Sequence, residues 1–370
     1  MSNNVRCEEW RQQGLVEHFC EHDRKMPDRC FAFILGAGAS ITSGIPAAGK
    51  LARRWIEQLY TRHAPSGTLI ESWATAENLG IEKFSWNDVA ESYCHIYKRR
   101  FMHDPDEGFA DLEEQMLGKK PGCGYAILAY ILASTRHNLV ITTNFDNLMQ
   151  DAMFMYTNSV PNVFGHETLA PFFRAKSRRP TIIKIHRDLL MAPMSQSDEL
   201  QELQAAWRDP LAQAFHNFTS IVIGYGGNDK SLMGYLESMS PQQLRGRLFW
   251  CYHAPSGPPR NEIREVVSKL NGVLVALEDN GFDGLMMAIQ KRMSYPSIEA
   301  ISDARLTELR NHAAGIVPMM GTSSTGLTSV KPDELLVASP DFTPPHAVSE
   351  CQPCEPAALA NSSAEGEINE

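Results

Sequence analysis

The sequence predicts an α/β protein: a parallel sheet flanked by helices, with a helical insertion after the first strand. Three observations carry this. Short apolar and β-branched runs at 31–35, 139–143, 181–185, 220–224, 247–252 and 272–276 alternate with stretches of helical periodicity. Small and polar residues gather just past the carboxyl ends of these runs, where doubly wound sheets bind ligands. Residues 68–135 carry helical periodicity throughout, far more chain than a simple crossover between parallel strands needs.

Composition agrees with a globular protein. A hydrophobic fraction of 43% with 21% charged residues allows a sizeable core. No apolar run is long enough to span a bilayer, and the polar start of the chain is no secretory signal, so a cytoplasmic protein without a membrane partner is expected. The formal charge is −10, but residues 331–370 hold eight acids against Lys331, which leaves −3 for the rest. So balanced a body gives no reason to expect direct nucleic-acid binding. Six of the eight cysteines are scattered, as in reduced cytosolic chains. Cys351-Gln-Pro-Cys354 lacks the second pair a zinc ribbon needs, and no metal is predicted.

Taken in order, residues 1–27 form a helical segment, with Trp10, Leu15, Val16 and Phe19 at roughly helical spacing. The first strand, apolar at every position from Phe31 to Leu35, suits burial on both faces. It ends in Gly36-Ala37-Gly38-Ala39-Ser40, and Pro46 opens the next helix, which carries an apolar stripe at Leu51, Trp55, Ile56 and Leu59. Gly36 and Gly38 permit a tight turn and close approach of a ligand to the backbone. A strand, a small-residue turn and a helix start together suit a nucleotide's phosphates. The common dinucleotide fingerprint has a third glycine where Ile41 stands.

Within the insertion, helices are expected over 70–78, 86–100, 108–117 and 124–134, making a subdomain beside the sheet. Trp86, Tyr93, Tyr97, Phe101 and Met102 would form its core. The main domain runs over 28–300, with further helices over 230–238 and 261–270. The remaining segment, 301–370, turns from about 318 into an aperiodic, Pro-, Ser- and Glu-rich tail that reads as disordered.

The loops after the later strands hold the chemistry. Thr143, Asn144 and Asp146 follow the second run, His186 and Asp188 the third, and Gly224-Tyr225-Gly226 with Asp229 the fourth. A histidine can act as a general base, and an asparagine can hold a water or a sugar hydroxyl. The carboxylates can orient these groups or fix the histidine's tautomer. Spacing alone favours turn formation for Asn144 and Asp146 and a satisfied strand-end histidine for His186, while helix capping and ribose binding are even for Asp229.

The set Gly36-Ala-Gly38-Ala-Ser40…Gly44-Ile-Pro46, Thr143-Asn144-Phe-Asp146, Lys184-Ile-His186-x-Asp188 and Gly224-Tyr225-Gly226…Asp229 resembles, in order, the sirtuin-like (silent information regulator 2-like) family, and more closely its bacterial anti-phage branch. The resemblance spans about 28–295. It implies a Rossmann-like domain that takes NAD as substrate, with Asn144 and His186 as the catalytic pair. Gly36, Ala37, Gly38, Ser40, Pro46, Thr143, Asp146, Gly224, Tyr225, Gly226 and Asp229 would hold the cofactor. Sirtuin deacylases follow Gly-Ile-Pro with Asp-Phe-Arg, where this chain has Ala47-Ala48-Gly49, and they carry a four-cysteine zinc module absent here. Both departures favour an NAD hydrolase acting in anti-phage defence over a deacylase. Arg187 stands where the family usually has glycine; it could obstruct the cleft, move His186 or hold a phosphate, and it leaves room for a non-catalytic NAD- or ADP-ribose-binding module. The resemblance also implies a homo-oligomer and a partner, a HerA-type ATPase or an Argonaute-like protein.

Overall fold

The run at Phe31–Leu35 becomes β2 (Cys30–Leu35), a central strand of one all-parallel, eight-stranded sheet. The computed structural model describes residues 7–187, 197–228, 230–278 and 280–320. Its other strands are β1 (Glu8–Arg11), β3 (Leu139–Thr142), β4 (Asn162–Phe164), β5 (Thr181–Lys184), β6 (Phe218–Ile223), β7 (Phe249–His253) and β8 (Val273–Leu277). They run in the order β1-β8-β7-β6-β2-β3-β5-β4, a Rossmann-like sheet flanked by helices, as the alternating pattern predicts.

Alternate residues of β2 serve opposite layers. Phe31, Phe33 and Leu35 pack with α1 (Gln12–Lys25), α7 (Cys123–Ser134), α8 (Leu148–Tyr156) and α12 (Gly281–Met293). Ala32 and Ile34 face the layer of α9 (Ser197–Asn217), α10 (Lys230–Ser238) and α11 (Asn261–Lys269), through Trp207, Phe215, Leu236 and Val267. A period of two with apolar residues on both faces is the signature of a covered parallel strand.

A third core holds the helical subdomain. It is built on α2 (Ala48–His63) with α3 (Ile70–Trp73), α4 (Ala76–Leu79), a 3-10 stretch over Trp86–Ser92, α5 (Tyr93–Phe101) and α6 (Pro105–Met116). Trp55 of α2 is fully buried at its centre, against the rings of Tyr93, Tyr97 and Phe101. The last element among the described residues is α13 (Ile298–Met320).

The structure corrects several expectations. The N-terminal segment is not one helix: Glu8–Arg11 forms the edge strand β1, in register with Val273–Ala276 of β8. Four residues flanked by an amphipathic helix leave too short an alternation to read as a strand. The edge strand β4, only three residues long, was also unexpected, as were α9 and α12. The subdomain begins at α2 rather than at residue 68, and α7 leaves it: with eight of its twelve residues buried, α7 packs on the sheet as the crossover helix. Met102 is half exposed and not in the subdomain core. Of the tail read over 318–370, all beyond Met320, including Cys351 and Cys354, lies outside the described residues. The cysteines within them form no disulfide, and no described helix is long and apolar enough to cross a membrane.

Candidate functional site

Strand register brings the dispersed motifs together. Leu35 pairs with Thr142 on one side and Ile223 on the other, and Thr142 pairs in turn with Lys184. Four strands therefore end at one level, and the loops starting at Gly36, Thr143, Ile185 and Gly224 share one edge. From β2 the sheet continues through β3 and β5, and the chain then returns to β6 on the other side. A reversal of this kind leaves a crevice past the strand ends. A cleft of about 190 Å³ opens there, under the helical subdomain. Ile45, Leu51, Tyr93, Leu112, Met116 and Phe145 supply apolar wall, and Asn144, His186, Asn228 and Glu91 supply polar groups.

The glycine loop packs closely against the loop after β6. A Cβ on Gly36 would stand 2.5 Å from the Cα of Tyr225, and one on Gly38 2.7 Å from the Cα of Gly224. Gly224, at φ +67°, is equally tight against Ala39. These glycines let two loops interlock; Gly224 lines the cleft, with Gly36 and Gly38 packed against its loop. Their N–H groups are also spent inside the protein, Gly36 on Ile223 O (3.0 Å), Gly38 on Gly224 O (2.8 Å) and Ala39 on Gly36 O (2.9 Å). The anion-friendly element at the cleft is instead the start of α2. Its cap residue Ala47 makes no side-chain cap, its first turn carries no acid, and Pro46 and Ala48 line the cleft.

Beneath the cleft lies a saturated polar cluster. The Asn144 amide donates to Gly36 O (3.1 Å) and to Ser40 Oγ (3.0 Å). Ser40 donates to Asp146 Oδ2 at 2.7 Å and lies 2.9 Å from the Tyr125 hydroxyl, which must then be the donor to Ser40. The other Asp146 oxygen accepts the Leu148 N–H, closing an Asx turn at the start of α8. Burial pushes the Asp146 carboxyl up, against the lowering effect of Ser40, the Leu148 N–H and the Lys184 charge. Burial, and then the neighbouring Asp146, push the Tyr125 phenol well above its ordinary value. Both Asn144 donors being committed, its carbonyl oxygen is the group it has for a ligand. The Gly36 carbonyl fixes which way the amide points.

His186 reaches the cleft from the turn after β5. Its Nε2 lies 2.5 Å from the Ser231 hydroxyl on α10, and the Phe145 ring lies 6.4 Å from the imidazole, centre to centre. Arg187 does not line the cleft; its guanidinium makes a two-pronged ion pair with Glu167.

Of the other residues singled out in the sequence, Ala37, Ser40, Pro46, Thr143, Asp146, Gly224, Tyr225 and Gly226 line the cleft with Asn144 and His186, and Asp188 and Asp229 lie outside the described residues. Sequence reasoning missed the roof: Ala90, Glu91, Tyr93 and Cys94 come from the helical subdomain, whose aromatic residues read only as core. It also missed Ser231, an ordinary serine in a helical pattern.

The chain matches the SIR2-like domain family over residues 138–274, a segment that holds Asn144, His186 and the Gly224–Gly226 loop but not the glycine loop after β2. No curated protein matches it. A solved structure addressing the mechanism and regulation of Sir2 enzymes is 13% identical, covering 78% of this chain and 98% of that one, with a TM-score of 0.39. Another, on the structural basis of sirtuin substrate affinity, is 15% identical and covers 75% of this chain and 98% of that one, with a TM-score of 0.39.

Proposed function

We propose that this protein cleaves the nicotinamide–ribose bond of NAD with water as acceptor, releasing nicotinamide and ADP-ribose. The observation that carries the reading is the meeting of Asn144 and His186, from the ends of β3 and β5, in one cleft at the switch point of the sheet. Both lie within the segment that matches the SIR2-like family. The cleft suits such a ligand: apolar and aromatic walls for flat rings, an uncapped helix start for a pyrophosphate, and an amide oxygen and an imidazole for sugar hydroxyls.

Cleavage of an N-glycosidic bond passes through a sugar with oxocarbenium character. His186 takes the proton from the attacking water, directly or through a ribose hydroxyl. The Asn144 carbonyl oxygen accepts from that water or hydroxyl and holds it in line. Arg187 is turned to Glu167 rather than into the cleft, which supports turnover over a binding module. The sequence resemblance extends the reading to an effector that depletes NAD during phage infection. It would work as a homo-oligomer regulated by a HerA-type ATPase or, as the alternative, an Argonaute-like protein.

The test follows nicotinamide release from NAD by the purified chain, alone, with such an ATPase, and with an acyl-lysine peptide. Release that depends on no peptide is expected, and Asn144→Ala and His186→Ala should each lose about 10²-fold or more. Release confined to the peptide arm would make the protein a deacylase; release unchanged in both variants would overturn the site.

A further inference from the structure

The turn that carries His186 has a feature its sequence does not explain. Arg187 sits at φ +68°, in the left-handed region, which disfavours any residue with a Cβ and which glycine enters freely. The turn is tight: the Arg187 N–H returns to Lys184 O at 3.3 Å, while Ile185 still bonds to Thr142 O at 3.0 Å. His186 is therefore the last side chain whose direction the sheet can influence before the backbone reverses its sense.

A two-pronged contact grips the side chain of this residue. Arg187 Nε donates to Glu167 Oε2 at 2.8 Å, and a second guanidinium nitrogen donates to Oε1. Both side chains are about four-fifths buried, at 21% and 18% exposure, and a paired fork of this sort fixes orientation as well as distance. Glu167 is itself held, opening the 3-10 turn Glu167–Phe172 behind the cap that His166 makes to the Thr168 N–H. Burial pulls the Glu167 carboxyl up, but the Arg187 hydrogen bond and the adjoining charges leave it below its ordinary value, ionised at neutral pH.

We propose that Glu167 is a positioning residue: by gripping Arg187 it imposes the left-handed turn that aims His186 into the cleft, doing with an ion pair what a glycine does by lacking a Cβ. The effect on turnover rests on the NAD-cleaving reading above; the effect on the His186 ring does not.

The experiment uses the full chain with Glu167→Gln, Arg187→Ala, Arg187→Gly and the double variant Glu167→Gln with Arg187→Gly. Two readouts are taken: kcat and KM for nicotinamide release, and the imidazole resonances of His186 in the protein without NAD, assigned with His186→Gln. Glu167→Gln and Arg187→Ala should lower kcat about tenfold with KM within about twofold, and should shift the His186 resonances. Arg187→Gly should stay near the parent in both, and the double variant should match Arg187→Gly, because a glycine no longer needs the grip. A Glu167→Gln effect that persists undiminished in the Arg187→Gly background, or His186 resonances that ignore Glu167, would overturn the proposal. Should the parent release no nicotinamide, the function assignment fails while the resonances still decide this one.

Discussion

The Ser40 hydroxyl donates to the Asp146 carboxylate at 2.7 Å, and that bond ties the loop after β2 to the loop after β3. Ser40 is 1% exposed and has both remaining lone pairs filled, by the Asn144 amide and the Tyr125 hydroxyl. A hydroxyl that serves three buried partners is hard to replace, because its loss leaves two donors and a carboxylate oxygen short.

Ser40→Ala should therefore destabilise the protein by about 1–3 kcal/mol. It should also weaken turnover, since the Asn144 amide loses one of its two anchors. The Asp146 carboxyl, already raised by burial, should rise further without the Ser40 bond. Thermal melting and nicotinamide release report the two effects; an unchanged melt would mean that a water fills the hydroxyl's place.

Two glycines of the chain should respond in opposite ways to the same methyl group. Gly38→Ala drives a Cβ to 2.7 Å from the Gly224 backbone, where nothing can yield cheaply, and should cost about 1–3 kcal/mol or more. Gly49→Ala meets only the Ala90 Cβ at 3.4 Å, within α2, and should be neutral or stabilising by up to about 1 kcal/mol. Denaturant midpoints for the pair check this. Equal losses in both would mean that the interlock of the loops is not the reason for Gly38.

These examples also show what the sequence could and could not reveal. The strands were legible because residues such as Phe31–Leu35 are apolar throughout, which few settings other than a doubly covered strand require. The gathering of Asn144, Ser40 and His186 was legible because each follows a strand end, and parallel strands in register bring such ends to one level. The packing partner of Gly36 and Gly38 was not, since a glycine marks a crowded backbone without saying what crowds it. Nor was the cleft's roof, because Glu91 and Cys94 reach it only through the packing of Trp55 in the subdomain. β1 was missed because its pairing with β8 joins residues some 265 positions apart.

Acid should weaken the far end of the sheet. His22 lies 7% exposed with its Nε2 lacking a hydrogen-bond partner among the described residues. Burial first, then the charges of His18, Arg29, His137 and Arg136, push its pKa down to about 4. His18 and His137 are lowered too, chiefly by burial, although Asp23 opposes this at His137. A histidine with a depressed folded pKa binds its proton more readily when unfolded, so its contribution is complete above about 6.5 and is lost as pH falls towards about 4. Urea midpoints should fall across that window, and His22→Leu should flatten the fall. A midpoint that stays level from pH 7 to pH 4 would contradict the burial argument.

Lys184 is the deepest cation described, at 1% exposure, with Nζ donating to Asn147 Oδ1 at 2.6 Å and Phe145 O at 3.2 Å. Its charge also lowers the carboxyls of Asp146 and Asp151, which burial raises. Lys184→Met keeps the length of the stem but removes the charge and the ammonium's hydrogen bonds, so it should cost about 1–3 kcal/mol near neutral pH. The sign of the pH dependence follows from the carboxylates. With Lys184 gone their folded pKa values rise further, and a carboxyl raised on folding is least costly where it is protonated in both states, below its ordinary value near 3.8. The deficit of the variant relative to the parent should therefore be largest at pH 7 and should narrow as the pH is lowered towards 4, where the histidines weaken both proteins alike. Urea unfolding of the two chains at matched pH measures this difference directly, and a deficit that stays level from pH 7 to pH 4 would show that Lys184 acts through hydrogen bonds such as those to Asn147 and Phe145 and not through its charge.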